Sequence, residues 1–295
     1  MKSSLKQILH FGGSLLAGIA IFFVIIRLHS YLSGVSFSIV ITESWPFLVM
    51  MSCCYGISGI FLAKIWYCCL EHLEVRINFS TITWIYGYSQ LGKYIPGNIF
   101  HLAGRQAFSM AENLPASKTM KSLVWELGIL AIGAAGIFCP VFITYFLFPC
   151  WSSSLFVSIF IFCCVTVPWL VGRLFGKKIR AAILWCLVFL CIMGSIFVVL
   201  LLQITAYPLD LGKLFIFAGG YVVAWFIGLA TPGAPAGMGM REATMLLITR
   251  GMPIPEVDLL LAVVLCRIVT TAGDFFFFIG SICLKYVVNK RLFTN

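Results

Sequence analysis

Two short stretches of this chain combine helix-breaking residues with charged side chains, and these are the residues best suited to chemistry. The second stretch, residues 231–242, lies between long apolar runs and ends in Arg241 and Glu242. Its breaking residues are Pro232, Gly233, Pro235, Gly237 and Gly239. Non-helical backbone at membrane depth is tolerated only where it is buried in protein or lines a cavity, and charges there are costly. The pattern therefore predicts a binding or transport site.

The first stretch, residues 86–105, is interrupted at Pro96 and Gly97. Proline removes a backbone donor and glycine permits a tight turn. The polar side chains that bracket the interruption are Lys93, Asn98, His101 and Arg105. Lysine and arginine suit a phosphate, and a helix that restarts here adds a partial positive charge. The alternative is a cytoplasmic re-entrant loop whose cations contact lipid headgroups without specificity.

Buried charges elsewhere are expected to support the second stretch. Arg267 and Asp274 are seven residues apart, which places them on one face of a helix. We expect them to form a buried network with Arg241 and Glu242; purely structural pairing is the alternative role. Glu126 is a further acid near the start of an apolar run, where it would balance Arg105 or a substrate cation, or relay protons.

Other kinds of site have no support in the residue pattern. No metal-ligand cluster, phosphate loop or nucleotide fingerprint occurs, so we predict no metal, no cofactor and no catalytic residue. The 12 cysteines lie mostly in apolar runs and fit a role as small packing residues. One enzymatic alternative stays open, a membrane-embedded transferase that uses Lys93, His101 and acids on a polyprenyl phosphate.

Composition sets the class of protein that must position these residues. Of the 295 residues, 61% are hydrophobic and only 10% are charged, whereas soluble domains carry about 25% charged residues. This predicts an all-α, polytopic membrane protein that forms a single domain, 1–295. The net charge of +10 is typical of cytoplasmic loops that carry lysine and arginine, so nucleic acid is not an expected partner.

A helix needs about 20 apolar residues to cross a bilayer. The chain contains seven candidate spans, near residues 8–27, 46–70, 121–148, 154–172, 181–205, 212–230 and 256–286. The first is interpreted as an uncleaved transmembrane helix, and the last is long enough to be tilted or broken. Two further stretches, 80–108 and 231–250, are too interrupted for plain spans and are predicted to be re-entrant or broken helices.

The distribution of basic residues predicts the orientation, because cytoplasmic loops accumulate lysine and arginine. Clusters occur before the first span, at residues 105–121, at residues 173–180 and near the C-terminus. All of these basic clusters lie on the cytoplasmic side if both termini are cytoplasmic and the two interrupted stretches enter the membrane from opposite faces. This outline is an inverted pair of broken helices, which is typical of transporters.

Residues 92–98 (GKYIPGN) and 232–243 (PGAPAGMGMREA) resemble the two motifs of the lysylphosphatidylglycerol synthase transmembrane-region family, and Arg267 resembles the arginine of its last segment. The resemblance extends over nearly the whole chain in length, span order and motif position. It implies a stand-alone flippase domain that moves a lipid or lipid-linked substrate. Because the chain ends at Asn295, we expect no soluble synthase domain.

We therefore expect a flippase in the inner membrane that moves a phospholipid or a polyprenyl-phosphate-linked glycan. Its substrate-binding residues would be Lys93, Asn98, His101, Arg105, Arg241 and Glu242. The alternatives are an integral-membrane enzyme or glycosyltransferase-partner subunit in envelope glycan synthesis, and a structural member of an envelope assembly. Two protein partners stay open, an envelope-biosynthesis enzyme and a second copy of the chain.

Overall fold

The computed structural model describes residues 22, 38–95, 97, 99–140, 153–231, 235–237, 239–250, 252 and 254–293. Every regular element in these ranges is helical and none is a strand, so the predicted all-α class is confirmed. Several predicted features lie outside the described residues: the first span apart from Phe22, and the residues Pro96, Asn98, Pro232 and Gly233.

Nine α-helices follow one another along the described chain. They are α1 (Ser38–His72), α2 (Phe79–Gln90), α3 (Phe100–Ala111), α4 (Ala116–Gly133), α5 (Ser153–Phe175), α6 (Lys177–Ile204), α7 (Leu211–Ala230), α8 (Met240–Ile248) and α9 (Glu256–Phe293). Short 3₁₀ turns occupy Leu91–Tyr94 and Pro235–Gly237, and a π-helical turn continues α4 at Ala134–Phe138.

Six helical segments of the described chain are long and apolar enough to cross a membrane. They are Trp45–His72, Ala116–Phe138, Ser154–Phe175, Lys177–Ile204, Leu211–Ala230 and Glu256–Tyr286. Each corresponds to one of the predicted spans, and the last is one continuous helix rather than a broken one. The chain is thus a multi-pass helical membrane protein.

Both predicted interruptions are present. The stretch 80–108 forms α2 and α3, helices of 12 residues each, which at about 1.5 Å per residue are too short to cross a core of about 30 Å. The stretch 231–250 contains the 3₁₀ turn Pro235–Gly237 and the 9-residue helix α8. Their entry from opposite membrane faces stays a prediction.

The chain forms two compact units, which we describe separately. Unit 1 comprises the described residues up to Val124 and those from Arg267 onward, and unit 2 comprises Trp125–Cys266. Helices α4 and α9 each contribute to both units. The predicted single domain 1–295 stays a prediction.

In unit 1 the backbones of α1 and α9 approach each other at a pair of glycines. A Cβ added to Gly56 would lie 2.8 Å from the carbonyl oxygen of Gly273, and one added to Gly273 would lie 2.7 Å from the carbonyl oxygen of Ser52. Small residues permit such close contact between membrane helices. This contact brings the middle of α9, which carries Asp274, next to α1.

In unit 2 the core lies around α6 and α7. Phe197 stacks on Tyr221 with ring centroids 4.4 Å apart, and Phe189 packs against Trp225 at 5.5 Å. Gly133 of α4 leaves room for the thiol of Cys186, because a Cβ on that glycine would lie only 2.6 Å from the sulfur. This packing anchors α7, the helix from which the second interruption departs.

Candidate functional site

The first interruption is a helical hairpin whose two arms touch. The 3₁₀ turn ends at Tyr94, the next residue Ile95 has extended backbone dihedrals, and Gly97 has φ +115°. The start of α3 then packs against the 3₁₀ turn, so closely that a Cβ on Gly92 would lie 2.7 Å from the backbone nitrogen of His101. The hairpin therefore holds Lys93 beside the first turn of α3.

Lys93 forms a buried ion pair. Its Nζ lies 2.6 Å from Oδ2 of Asp274 on α9, and the two side chains are 8% and 4% exposed. Desolvating two charges is expensive, and such a pair persists only when its geometry and additional hydrogen bonds compensate. The interrupted helix thus places its lysine against an acid that is distant in sequence.

Two uncharged side chains of the same hairpin also contact Asp274. The hydroxyl of Tyr94 donates to Oδ2 over 2.6 Å, and Nε2 of Gln90 donates to Oδ1 over 3.5 Å. We name Gln90, Lys93, Tyr94 and Asp274 the Asp274 cluster. Its three hydrogen-bonding groups surround one carboxylate, an arrangement that would equally suit another oxyanion.

Arg105 of α3 lies against two aromatic rings in unit 1. Its guanidinium carbon is 3.8 Å from the ring centroid of Tyr86 and 5.1 Å from that of Trp66, and the residue is 1% exposed. The Trp66 indole is itself fixed, because it donates to the hydroxyl of Ser122 over 2.8 Å. Cation–π contacts of this kind stabilise a desolvated arginine.

His101 is buried at the start of α3, 5% exposed. Its Nδ1 has no hydrogen-bond partner among the described residues. His101 can thus serve as a hydrogen-bonding group at the start of α3.

The second interruption is built on left-handed backbone. Ala236, Gly237 and Gly239 have φ of +48°, +71° and +76°. The turn folds back on α7, since a Cβ on Gly237 would lie 2.5 Å from Cα of Gly228. Arg241 follows in the first turn of α8, is 6% exposed and lies over Gly228, whose added Cβ would be 3.0 Å from its Cγ.

These contacts predict unequal effects of alanine at the two left-handed glycines. We expect Gly237→Ala to destabilise the protein more than Gly239→Ala. Both substitutions place a side chain on left-handed backbone, which costs about 1–2 kcal/mol. Only Gly237 is also in close contact with the backbone of a neighbouring helix. An added Cβ on Gly239 meets nothing within 4 Å. Thermal unfolding in detergent measures the difference, and equal losses would show that the Gly228 contact contributes little.

The predicted supporting acids and Arg267 are distributed over the two units. Arg267 is 2% exposed and Asp274 is 3% exposed, both in unit 1, whereas Glu126, 3% exposed, belongs to unit 2. Glu242 is partly buried beside Arg241 in unit 2. We expected Asp274 to join Arg241, Glu242 and Arg267. Its described partners instead come from the first interruption.

The sequence did not predict that Lys93 pairs with Asp274. It also did not predict that Gln90 and Tyr94 donate hydrogen bonds to the same carboxylate. One available signal was that Lys93 and Asp274 are opposite charges in apolar surroundings and each needs a partner. The two uncharged residues gave no such signal. In the part of the chain that the structure describes, no group of three or more His, Cys, Asp or Glu residues is arranged to hold a metal.

Comparisons with known proteins identify no relative. No family model matches the chain, and neither a curated protein nor a solved structure matches it. The resemblance of residues 92–98 and 232–243 and of Arg267 to the lysylphosphatidylglycerol synthase transmembrane-region family therefore stays an expectation from the sequence.

Proposed function

We propose that this protein is a lipid flippase, and that its substrate is a phospholipid or a polyprenyl-phosphate-linked glycan. The observation that carries the proposal is the buried ion pair of Lys93 and Asp274 at the point where a membrane helix is interrupted. Both an interrupted helix and an intramembrane charge are costly in a bilayer and mark substrate paths.

The balance of buried charge favours an anionic substrate. Among the described residues, four buried side chains are basic and two are acidic: Lys93, Arg105, Arg241 and Arg267 against Glu126 and Asp274. A lipid phosphate would add negative charge to this set. Its oxygens also match the donors that the chain offers, an ammonium and guanidinium groups.

The Asp274 cluster provides a mechanism for taking up the phosphate. A phosphate oxygen that reached Lys93 would replace the carboxylate of Asp274 and would accept the hydrogen bond of Tyr94. One anion would thereby be exchanged for another, so Lys93 would not lose its counter-ion during the exchange. The released carboxylate would then bind a proton or another cation, which would couple substrate binding to that ion.

The second interruption would supply a second set of polar groups for the headgroup. Arg241 and Glu242 begin α8 directly after the left-handed turn. A headgroup that crosses hydrocarbon unaided loses its hydration, and fixed protein charges replace part of it. In this proposal Asn98, His101 and Arg105 serve the first site, and the protein lies in the inner membrane with both termini cytoplasmic.

Reconstitution tests the proposal directly. Purified protein in proteoliposomes should move fluorescent phosphatidylglycerol or a polyprenyl phosphate between leaflets, measured by dithionite quenching, and should leave a labelled neutral glycosylceramide in place. Equal movement of all three labels would indicate a scramblase that does not recognise phosphate. No movement of either phosphate lipid by folded protein would reject the flippase function.

A further inference from the structure

A separate groove runs along the surface of unit 1, between α1, α2 and α9. Its volume is about 420 Å³ and its lining is almost wholly apolar. The lining side chains come from all three helices and include Cys53, Ile57, Ile60, Thr83 and Phe276. Ile57 is 63% exposed. The groove thus opens on the surface of a membrane-spanning helix, where lipid is the neighbouring phase.

Gly280 leaves part of the groove empty. It lines the groove and is exposed, and a Cβ added to it would meet nothing within 4 Å. Gly56, on the opposite wall, is by contrast in tight contact with α9. The space above Gly280 is therefore available to an occupant and not needed for helix packing.

A lysine follows the lining residues of α1 by one helical turn. Lys64 follows Ile60 by four residues and so lies one turn further along the same face of α1. Its ammonium is held 4.4 Å from the ring centroid of Phe79, which precedes Thr83 by one turn of α2, and 4.8 Å from that of Tyr67. A positioned cation thus lies one helical turn beyond the groove lining on both α1 and α2.

We infer that this groove binds an anionic phospholipid, with an acyl chain between α1 and α9 and the phosphate at Lys64. The apolar lining matches a hydrocarbon chain and the lysine matches a phosphate. The site is distinct from the Asp274 cluster, and the inference does not depend on the proposed translocation.

A helix fits the groove less well than a lipid chain. A cylinder of about 10 Å diameter fills 420 Å³ within about one helical turn. The apolar stretch 8–27 is also flanked by basic residues, Lys6 and Arg27, which do not complement Lys64. Charge and size together favour the phospholipid.

Native mass spectrometry of the purified protein with added lipid tests the inference. We expect the wild type to bind phosphatidylglycerol about fivefold more than phosphatidylcholine, since one lysine near an anionic headgroup contributes about 1 kcal/mol. The proposed translocation site would also bind a phosphate lipid, so this comparison is made in the Lys93→Gln/Asp274→Asn background, which removes the cation of the Asp274 cluster. There Lys64→Gln should reduce the preference to about one, and a preference that survives Lys64→Gln in that background would overturn the placement of the phosphate.

A second set of variants tests the inference by filling the groove. We expect Gly280→Leu to lower the binding of both lipids at least fivefold, and Gly280→Ala, which adds only one methyl group in open space, to bind nearly as the wild type. Gly128→Leu is the matched control, because Gly128 is also an exposed helical glycine with nothing within 4 Å. Equal lipid binding by Gly280→Leu and Gly128→Leu, with unchanged unfolding temperatures, would overturn the inference.

Discussion

Lys93→Gln should lower the free energy of unfolding by about 3–5 kcal/mol, because it leaves the carboxylate of Asp274 buried without its ion-pair partner. Asp274→Asn should cost a similar amount, because it removes the carboxylate that forms the ion pair with the buried ammonium. Unfolding of the purified variants in mixed micelles measures both values. Lys121→Gln removes an exposed lysine of unit 1 and serves as the control, with an expected change within about 0.5 kcal/mol.

The double variant separates a structural role from a functional one. Lys93→Gln combined with Asp274→Asn removes both charges and keeps an amide oxygen that can accept from Tyr94. It should recover most of the stability, since replacing both members of a buried pair is often neutral. Translocation should nevertheless stay lost, because the cation for the phosphate is gone. A stable double variant with wild-type transport would show that the pair only supports the fold.

The same pair shows which part of the site could be predicted from the sequence. Proline and glycine act on the backbone next to them, so the interruptions at 80–108 and 231–250 could be placed from local chemistry. The partner of Lys93 could not, because Asp274 lies on a helix 180 residues beyond Tyr94 and local rules do not reach that far. The charges that need partners were evident, but their pairing depends on tertiary packing.

Arg105 illustrates a second kind of limit. Its residue type predicts a guanidinium that donates two parallel hydrogen bonds to a phosphate. In the structure its guanidinium lies over Tyr86 and near Trp66. Aromatic residues are so frequent in this chain, 15% of the total, that a specific stacking partner could not be selected. Stacking leaves the edge of a guanidinium able to donate, so a role toward phosphate is compatible with this position.

The division into two units was also beyond sequence reasoning. Hydropathy placed the six described spans, because each needs only a long apolar run. Hydropathy did not predict that α9 is divided between the units, with its residues up to Cys266 in unit 2 and those from Arg267 in unit 1. That division follows from close backbone contacts such as that of Gly56 with Gly273. In each unit, the break in the interrupted stretch is followed by a short helix that carries an arginine.

Arg241→Ala should reduce the initial rate of lipid movement in proteoliposomes by about 10- to 150-fold, the factor that corresponds to one charge-assisted hydrogen bond of about 1.5–3 kcal/mol. Arg241 is 6% exposed and begins α8, whereas Arg250, just beyond the end of that helix, is exposed. Arg250→Ala removes the same charge from the same segment and should leave the rate within about twofold of the wild type.

Gly228→Ala tests the position of Arg241 without removing its charge. The new Cβ would lie 3.0 Å from Cγ and 3.3 Å from Nε of Arg241, and 3.0 Å from Cα of Gly237. The arginine and the turn must then shift away from α7, so we expect a rate between those of the wild type and Arg241→Ala. If Arg241→Ala matched Arg250→Ala in rate, the second interruption would not form part of the lipid path. A loss in Arg241→Ala alone would mean that the charge matters but its placement over Gly228 does not.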